Sequence, residues 1–232
     1  MAGAGSRFKP IYGDLPKFLI EVGGKTLFHH SVSSLPLEII DYFVFVCRES
    51  DRNTGIKKMI KNTLSQDFKI IYLNSVLPGQ ALSAQAAMHL IDPSSELIIY
   101  NIDTKFFSKT ISENLTFNYD HSSYIGAFID NSDASHWSFA KVRNNLVIKT
   151  AEKVKISNYA LTGFYHFKSA MQFFDGVDWL ISERLMINFE YYIAPIYNKL
   201  IADGNNVRLD MVSRIFPLGT PEEVAKFETI IL

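Results

Sequence analysis

The chain has 232 residues, a formal net charge of −1, 47% hydrophobic and 13% aromatic residues, with 18 Phe and 11 Tyr. That is apolar material for one α/β domain, residues 1–232, burying roughly three quarters of its unfolded surface, and it excludes a disordered chain or two large domains. The near-neutral balance without a long basic run argues against a nucleic-acid partner, and one cysteine, Cys47, rules out an internal disulfide or a cysteine-based zinc site.

Read in chain order, a glycine loop at residues 1–8 leads to a short strand at 18–22 and a helix at 26–35 entered through Thr26. The apolar run 42–47 predicts a strand, 56–64 a helix, 70–73 a strand, 81–90 an alanine-rich helix and 97–100 a strand. That alternation implies a parallel sheet with helices on both faces. Beyond Asp103 the rhythm changes. Short strands at 124–129, 138–142 and 146–148 imply a mixed-sheet insert, the last two joined by the turn Arg143-Asn144-Asn145. A strand at 160–167, helices at 181–189 and 193–203, strand material at 207–211 and 214–216, and a final helix opened by Thr220-Pro221-Glu222-Glu223 complete the pattern. No run of about 18 uninterrupted apolar residues and no signal-peptide pattern occurs, so the expected location is the cytoplasm, away from any membrane.

The segment Met1-Ala2-Gly3-Ala4-Gly5-Ser6-Arg7-Phe8, with Pro16-Lys17 eight residues on, suits a polyphosphate. Glycines let backbone N–H groups approach phosphate oxygens, and two fixed cations offset the charge. The spacing is neither that of the ATPase phosphate loop nor the dinucleotide fingerprint, whose third glycine is Phe8 here. In Tyr100-Asn101-Ile102-Asp103 a carboxylate ends an apolar strand, where open parallel sheets hold their ligands and where magnesium, which takes one or two carboxylates plus substrate phosphates, fits.

The glycine loop with Arg7 and Lys17 resembles the G-x-G-x-R…P-K signature of the sugar-1-phosphate nucleotidylyltransferase and cytidylyltransferase superfamily. Three further segments follow that family's order. They are strand-end Asp103, the run Thr150-Ala151-Glu152-Lys153 with Ser157 and Ala160-Leu161-Thr162-Gly163-Phe164-Tyr165, and Gly219-Thr220-Pro221-Glu222. The resemblance spans residues 3 to 223 and points to the small enzymes found among bacterial capsule and surface-glycan pathways. It implies a Rossmann-like three-layer α/β/α fold, glycosyltransferase-A-like, with a mixed central sheet.

The activity it implies is transfer of a nucleotidyl group from an NTP to a phosphorylated acceptor, a sugar phosphate first and a phosphorylated alcohol, amine or amino-acid derivative as the alternative, with pyrophosphate released. A non-catalytic nucleotide-binding homologue is the remaining class. Backbone N–H groups of Ala2, Gly3, Ala4, Gly5 and Ser6, with Arg7, would hold the triphosphate. Lys17 would contact the α-phosphate or the acceptor phosphate, and Asp103 would hold Mg²⁺. Gly79 and Gln80, before a helix, and Asn101 would meet the nucleotide, an amide being able to donate and accept at a base edge. Glu152 would accept from an acceptor hydroxyl or amine, Lys153 would hold its phosphate, and Gly163 would mark a close approach. Trp137, Phe139, Tyr165 and Tyr191 offer aromatic surface to the acceptor or to the core.

Two departures from the pattern stand out. Pro217 and Leu218 occupy places where relatives carry an aspartate that completes the metal site, so Asp210 is the substitute candidate as second ligand. The family's strand before the glycine loop is missing, which leads to the expectation that the natural chain begins upstream of Met1. The histidines lack metal-pair spacing. Base, acceptor and oligomeric state stay open, a homodimer included.

Overall fold

The computed structural model describes residues 6–231. In chain order the elements are α1 (Lys9–Tyr12), β1 (Glu21–Val22), β2 (Lys25–Thr26), α2 (Leu27–Val32), β3 (Tyr42–Arg48), α3 (Ile56–Thr63), β4 (Asp67–Leu73), α4 (Gln80–Gln85), β5 (Leu97–Tyr100), β6 (Thr104–Phe107) and α5 (Ile111–Thr116). There follow β7 (Ser123–Ile129), β8 (Ser138–Arg143), β9 (Leu146–Glu152), β10 (Tyr159–Phe167), α6 (Ala170–Ser182), α7 (Ile196–Ala202), β11 (Val207–Met211), β12 (Arg214–Pro217) and α8 (Pro221–Ile231).

These elements form two compact units, each assembled from separate stretches of chain. One comprises residues 1–76, 101–107 and 214–232, the other residues 77–100 and 108–213.

The first unit holds the parallel pair β3–β4, the hairpin β1–β2 and the antiparallel pair β6–β12. Its apolar side chains gather in two clusters, one around Phe28, Phe45, Cys47, Ile56 and Ile60, the other around Phe8, Leu27, Leu218 and Phe227. Removing such a side chain from water stabilises the fold by about 1.5–3 kcal/mol. Cys47 is wholly buried and desolvation pushes its thiol up to about 11, so it packs as an inert hydrophobe. α2 begins where expected, because the Thr26 hydroxyl accepts the His29 N–H.

The second unit is built on a six-stranded mixed sheet in the order β11-β7-β10-β8-β9, with β5 also paired to β10. β11 runs parallel to β7, and every other pair is antiparallel. α6 and α7 cover a core that includes Phe167, Phe173, Leu180, Ile196 and Tyr197. The mixed sheet in an α/β chain agrees with the expected fold class.

Three expectations about elements are corrected. Strand 97–100 runs antiparallel to β10, so the strand-helix rhythm misread its ladder. The helix expected at 181–189 is α6, lying earlier, at Ala170–Ser182. Ser169 caps it by accepting the Gln172 N–H, and Phe173, Phe174, Val177 and Leu180 supply the buried stripe. The chain then leaves helical geometry, with positive φ at Arg184, Asn188 and Phe189. The helix expected over 81–90 is a short α4 followed by a 3-10 turn, Met88–Leu90.

Candidate functional site

In the first unit, Lys17 opens a 3-10 turn after Pro16, and the Leu19 N–H donates to the Pro16 carbonyl. This turn aims the ammonium at Asp103, with Lys17 Nζ 3.3 Å from Asp103 Oδ2. The lysine side chain is 18% exposed and the carboxylate 45%, so the pair is anchored on one side and open on the other. Lys17 also lies 5.5 Å from the centroid of the buried Phe8 ring, a cation–π contact that fixes its stem. Beside the lysine is a cavity of about 220 Å³ that Lys9, Asp14 and Arg48 also line. Arg48 there is held by two hydrogen bonds to the buried Asp51 carboxylate, at 3.1 and 2.9 Å.

Asp103 owes its position to a pairing that the linear pattern does not reveal. It immediately precedes β6, whose partner β12 runs antiparallel from Arg214 opposite Phe107 to Pro217 opposite Thr104. One residue further on, the Leu218 N–H donates to the Asp103 carbonyl at 2.8 Å. Two motifs more than a hundred residues apart, Asp103, expected at a strand end and found in the turn before β6, and Gly219-Thr220-Pro221-Glu222, therefore meet. Glu223 locks the second one, accepting from the N–H groups of Gly219 and Thr220 at 2.8 and 2.9 Å, while Thr220 Oγ1 accepts the Glu223 N–H. This is the reciprocal cap expected from the sequence.

Of the remaining residues expected at the nucleotide, Ala2, Gly3, Ala4 and Gly5 lie outside the described residues. Ser6 and Arg7 are exposed, and Asn101 is half-buried in the same unit as Asp103.

The second unit gathers the residues expected to meet the acceptor. Glu152 ends β9 opposite Ser138 of β8, is 6% exposed, and accepts a short hydrogen bond from the Ser138 hydroxyl. Lys153 follows with φ +54°, its N–H donating to the Trp137 carbonyl. Its ammonium donates to the Tyr192 hydroxyl at 2.5 Å and lies 4.6 Å from that ring's centroid. Tyr192 in turn donates to Glu190. Burial raises the Tyr192 phenol far above its ordinary range, and the Glu190 carboxylate adds to the effect, so the hydroxyl stays protonated. Tyr192 and Glu190 were missed in the sequence, since nothing in Phe189-Glu190-Tyr191-Tyr192 differs from a surface run.

Gly163 is buried at φ +85°, within the register shift between Leu161 and Tyr165 where β10 pairs with β7. Opposite this bulge a Cβ on Gly126 would stand 2.4 Å from Thr162 Oγ1, so glycine is needed on both strands.

Burial raises the Glu152 carboxyl above its ordinary value, and the Ser138 hydroxyl and the Lys153 charge only partly oppose this. A carboxyl with a raised folded-state pKa binds its proton more tightly when folded. Its contribution to stability is therefore fullest at low pH and declines as pH rises from the unfolded value through the folded one. Glu152→Gln removes that decline. In urea unfolding at about pH 4 and about pH 7, the free-energy difference between variant and wild type should shift in the variant's favour at the higher pH. An identical difference at both would refute the buried-carboxylate assignment.

Gly79 has φ +100° and ψ 172° and sits against Tyr191, whose N–H donates to the Pro78 carbonyl and whose carbonyl accepts the Ala81 N–H, both at 3.0 Å. This tight backbone bridge explains the glycine without a ligand. Gln80, the first residue of α4, is half-buried. Asp210 lies in β11, 1% exposed, with Oδ1 accepting from Thr110 Oγ1 at 2.6 Å and Asn114 Nδ2 at 2.9 Å. Those bonds tie β11 to α5 and its N-cap. Among the described residues, no group of three or more His, Cys, Asp or Glu gathers to hold a metal ion, and no helix is long and apolar enough to cross a membrane.

A search of curated proteins finds no sequence relative. Solved structures do match. The chain is similar to the nucleoside-diphosphate-sugar pyrophosphorylase from Vibrio cholerae RC9, at 30% identity over 99% of this chain and 98% of that one, with a TM-score of 0.85. It shares its fold with the inositol-1-phosphate CTP transferase from T. maritima, at 19% identity over 99% and 91% of the two chains and a TM-score of 0.76. The same holds for a UDP-glucose pyrophosphorylase solved with UDP-glucose, at 17% identity over 99% and 95% and a TM-score of 0.78. A protein-family model described as nucleotidyl transferase matches residues 1–210. The paired Lys17 and Asp103 thus stand in a chain that belongs to the nucleotidyl transferase family and is a nucleotidyltransferase enzyme.

Proposed function

We propose that the enzyme transfers a nucleotidyl group from an NTP to a sugar phosphate, releasing pyrophosphate. The observation that carries this reading is the anchored, half-open Lys17–Asp103 pair, at 3.3 Å, following a G-x-G-x-R loop. The likeness to a nucleoside-diphosphate-sugar pyrophosphorylase at 30% identity supports a sugar phosphate as acceptor.

In the proposed reaction an acceptor phosphate oxygen, already an anion, forms a bond to the α-phosphorus. The bond from that phosphorus to the oxygen bridging to the β-phosphate breaks in line, and its electron pair leaves with pyrophosphate. No general base is needed. The enzyme's task is to hold two mutually repelling anions in line and to stabilise charge on the α-phosphoryl and leaving oxygens. Arg7 and the backbone N–H groups of residues 2–6 would hold the β- and γ-phosphates, and Lys17 would neutralise charge at the α-phosphate.

Asp103 fits a magnesium ion. It is a 45% exposed carboxylate in the turn before β6, and such a site needs only one or two protein carboxylates beside substrate phosphates. Bound there, the ion would neutralise triphosphate oxygens. Lys153 would hold the acceptor phosphate and Glu152 a hydroxyl, with Tyr192 keeping the lysine in place. Asp210, whose Oδ1 is taken by Thr110 and Asn114 while its buried Oδ2 has no hydrogen-bond partner among the described residues, is given no role in this reading. The cytoplasm is the proposed location.

The test is pyrophosphate release on incubating the protein with magnesium, each of CTP, UTP, dTTP, GTP and ATP, and hexose 1-phosphates. One nucleotide should give turnover, and at 100 times its dissociation constant it should also stabilise the fold by about 2.7 kcal/mol. Turnover only with CTP and a non-sugar phosphate would favour the cytidylyltransferase reading. Stabilisation without pyrophosphate release from any acceptor would leave a nucleotide-binding homologue.

A further inference from the structure

A second concave surface, in the unit that carries the mixed sheet, takes no part in this chemistry. It is a groove of about 510 Å³, the size range of small-ligand sites. Two aromatic side chains stand on its wall in water. Phe117 is 56% exposed and Tyr119 85%, and their rings stack at 6.2 Å with 27° between planes. Beyond their contact with each other these rings bury little area for the fold, and two ordered apolar faces side by side in water are a surface suited to a ligand.

The polar lining is fixed rather than loose. Arg208, on β11, holds Asp120 through Nη2 at 2.6 Å and Nε at 2.8 Å, and reaches Ser122 Oγ at 3.2 Å. Asn114 is fixed by its bond to Asp210, and Asn145 stands at the turn between β8 and β9. Asp120 and Arg208 are the only acid and base among the lining residues, so the groove is neutral as a whole. An anion such as a phosphate would have to compete with Asp120 for the arginine. A neutral ligand with hydroxyls and an apolar face would meet both the fixed pair and the aromatic wall at no cost in charge.

We propose that this groove binds a neutral saccharide of one or two rings, its C–H face against Phe117 and Tyr119 and its hydroxyls toward Asp120, Arg208, Asn114 and Asn145. The Asn145 end of the groove lies away from the proposed acceptor residues. Asn145 precedes the first residue of β9 and Glu152 is its last, which puts the two ends about 20 Å apart. The enzyme would thereby bind a glycan at a place where it does not transfer nucleotide.

The experiment is saturation-transfer NMR on the whole chain, with maltose and cellobiose as probes at about 20 mM, enough to populate a site whose dissociation constant is in the millimolar range. Transfer to at least one probe is expected. Tyr119→Ala and Asp120→Asn should each weaken binding by at least about tenfold. Neither residue belongs to the proposed transfer machinery, so pyrophosphate release should be unchanged in both variants. No transfer to either probe, or equal transfer to Tyr119→Ala, would overturn the proposal. So would a concentration-dependent dimer in sedimentation that Tyr119→Ala abolishes, because the groove would then be an interface between copies.

Discussion

Lys17→Ala and Asp103→Asn are each expected to lower turnover by about 10²–10³-fold, the usual cost of removing one preorganised charge contact from a transition state. The fold should survive both changes. The Asp103 carboxylate is half-open to water, so the pair stabilises the fold by only about 1 kcal/mol even with Lys17 mostly buried, and the hydrogen bond that secures the aspartate uses its carbonyl, which the substitution leaves intact. Lys17→Ala also gives up the contact with the Phe8 ring, about another 0.5–1 kcal/mol. The double variant is the sharper measurement. If ammonium and carboxylate act on one substrate group as a unit, losing both costs little more than losing one. Steady-state kinetics on the three variants, with unfolding midpoints as the check on folding, decides it. Turnover within tenfold of wild type in either single variant would remove this pair from the catalytic machinery.

Gly79→Ala is expected to cost about 3–4 kcal/mol of stability, one of the largest effects available to a single small substitution. The backbone at φ +100° and ψ 172° is in a region that side chains rarely tolerate, and a Cβ there would stand 2.4 Å from the Tyr191 carbonyl oxygen and 2.5 Å from its nitrogen. Those are backbone atoms pinned by the two hydrogen bonds that bridge Pro78 and Ala81 to Tyr191, so they cannot yield without breaking the bridge. For a domain of this size the loss corresponds to a fall in melting temperature of about 6–15 °C. Gly204→Ala is the control. Its φ is +83°, yet a Cβ there meets nothing within 4 Å, so only the conformational cost of about 1–2 kcal/mol applies. Equal melting temperatures for the two variants would show that strain alone, not the approach to Tyr191, accounts for Gly79.

Much of the architecture was legible because it depends on neighbours in sequence. The Thr26 cap, the run from Tyr42 to Cys47, the cap that opens α8 at Thr220 and the alternating strands of the insert are local signals, and each lies where expected. Misreadings arose where long-range packing overrides such signals. The stripe Phe173, Phe174, Val177 and Leu180 forms α6, which ends at Ser182, whereas the apolar residues beyond it, Leu185, Met186, Ile187 and Phe189, carry no helix, because that segment turns through left-handed residues to the Ile187–Glu190 bridge. Strand 97–100 pairs antiparallel with β10, a choice no periodicity encodes.

The sequence by itself determined the chemistry available to this protein: the lysine after Pro16, the aspartate that follows the apolar run ending at Tyr100, the Glu152-Lys153 pair and the α/β character that carries them. Residue type and spacing hold that information, because charge, hydrogen-bonding capacity and helical or strand periodicity are properties of a residue and its close neighbours. Only the tertiary structure decided which of these groups meet. The pairing of β6 with β12 joins Asp103 to Leu218 across more than a hundred residues, the 3-10 turn after Pro16 delivers Lys17 to it, and burial turns Asp210 inward to Thr110 and Asn114. Such contacts follow from the free energy of closing long loops against hydrogen bonds and buried area, and neither partner's sequence contains the other.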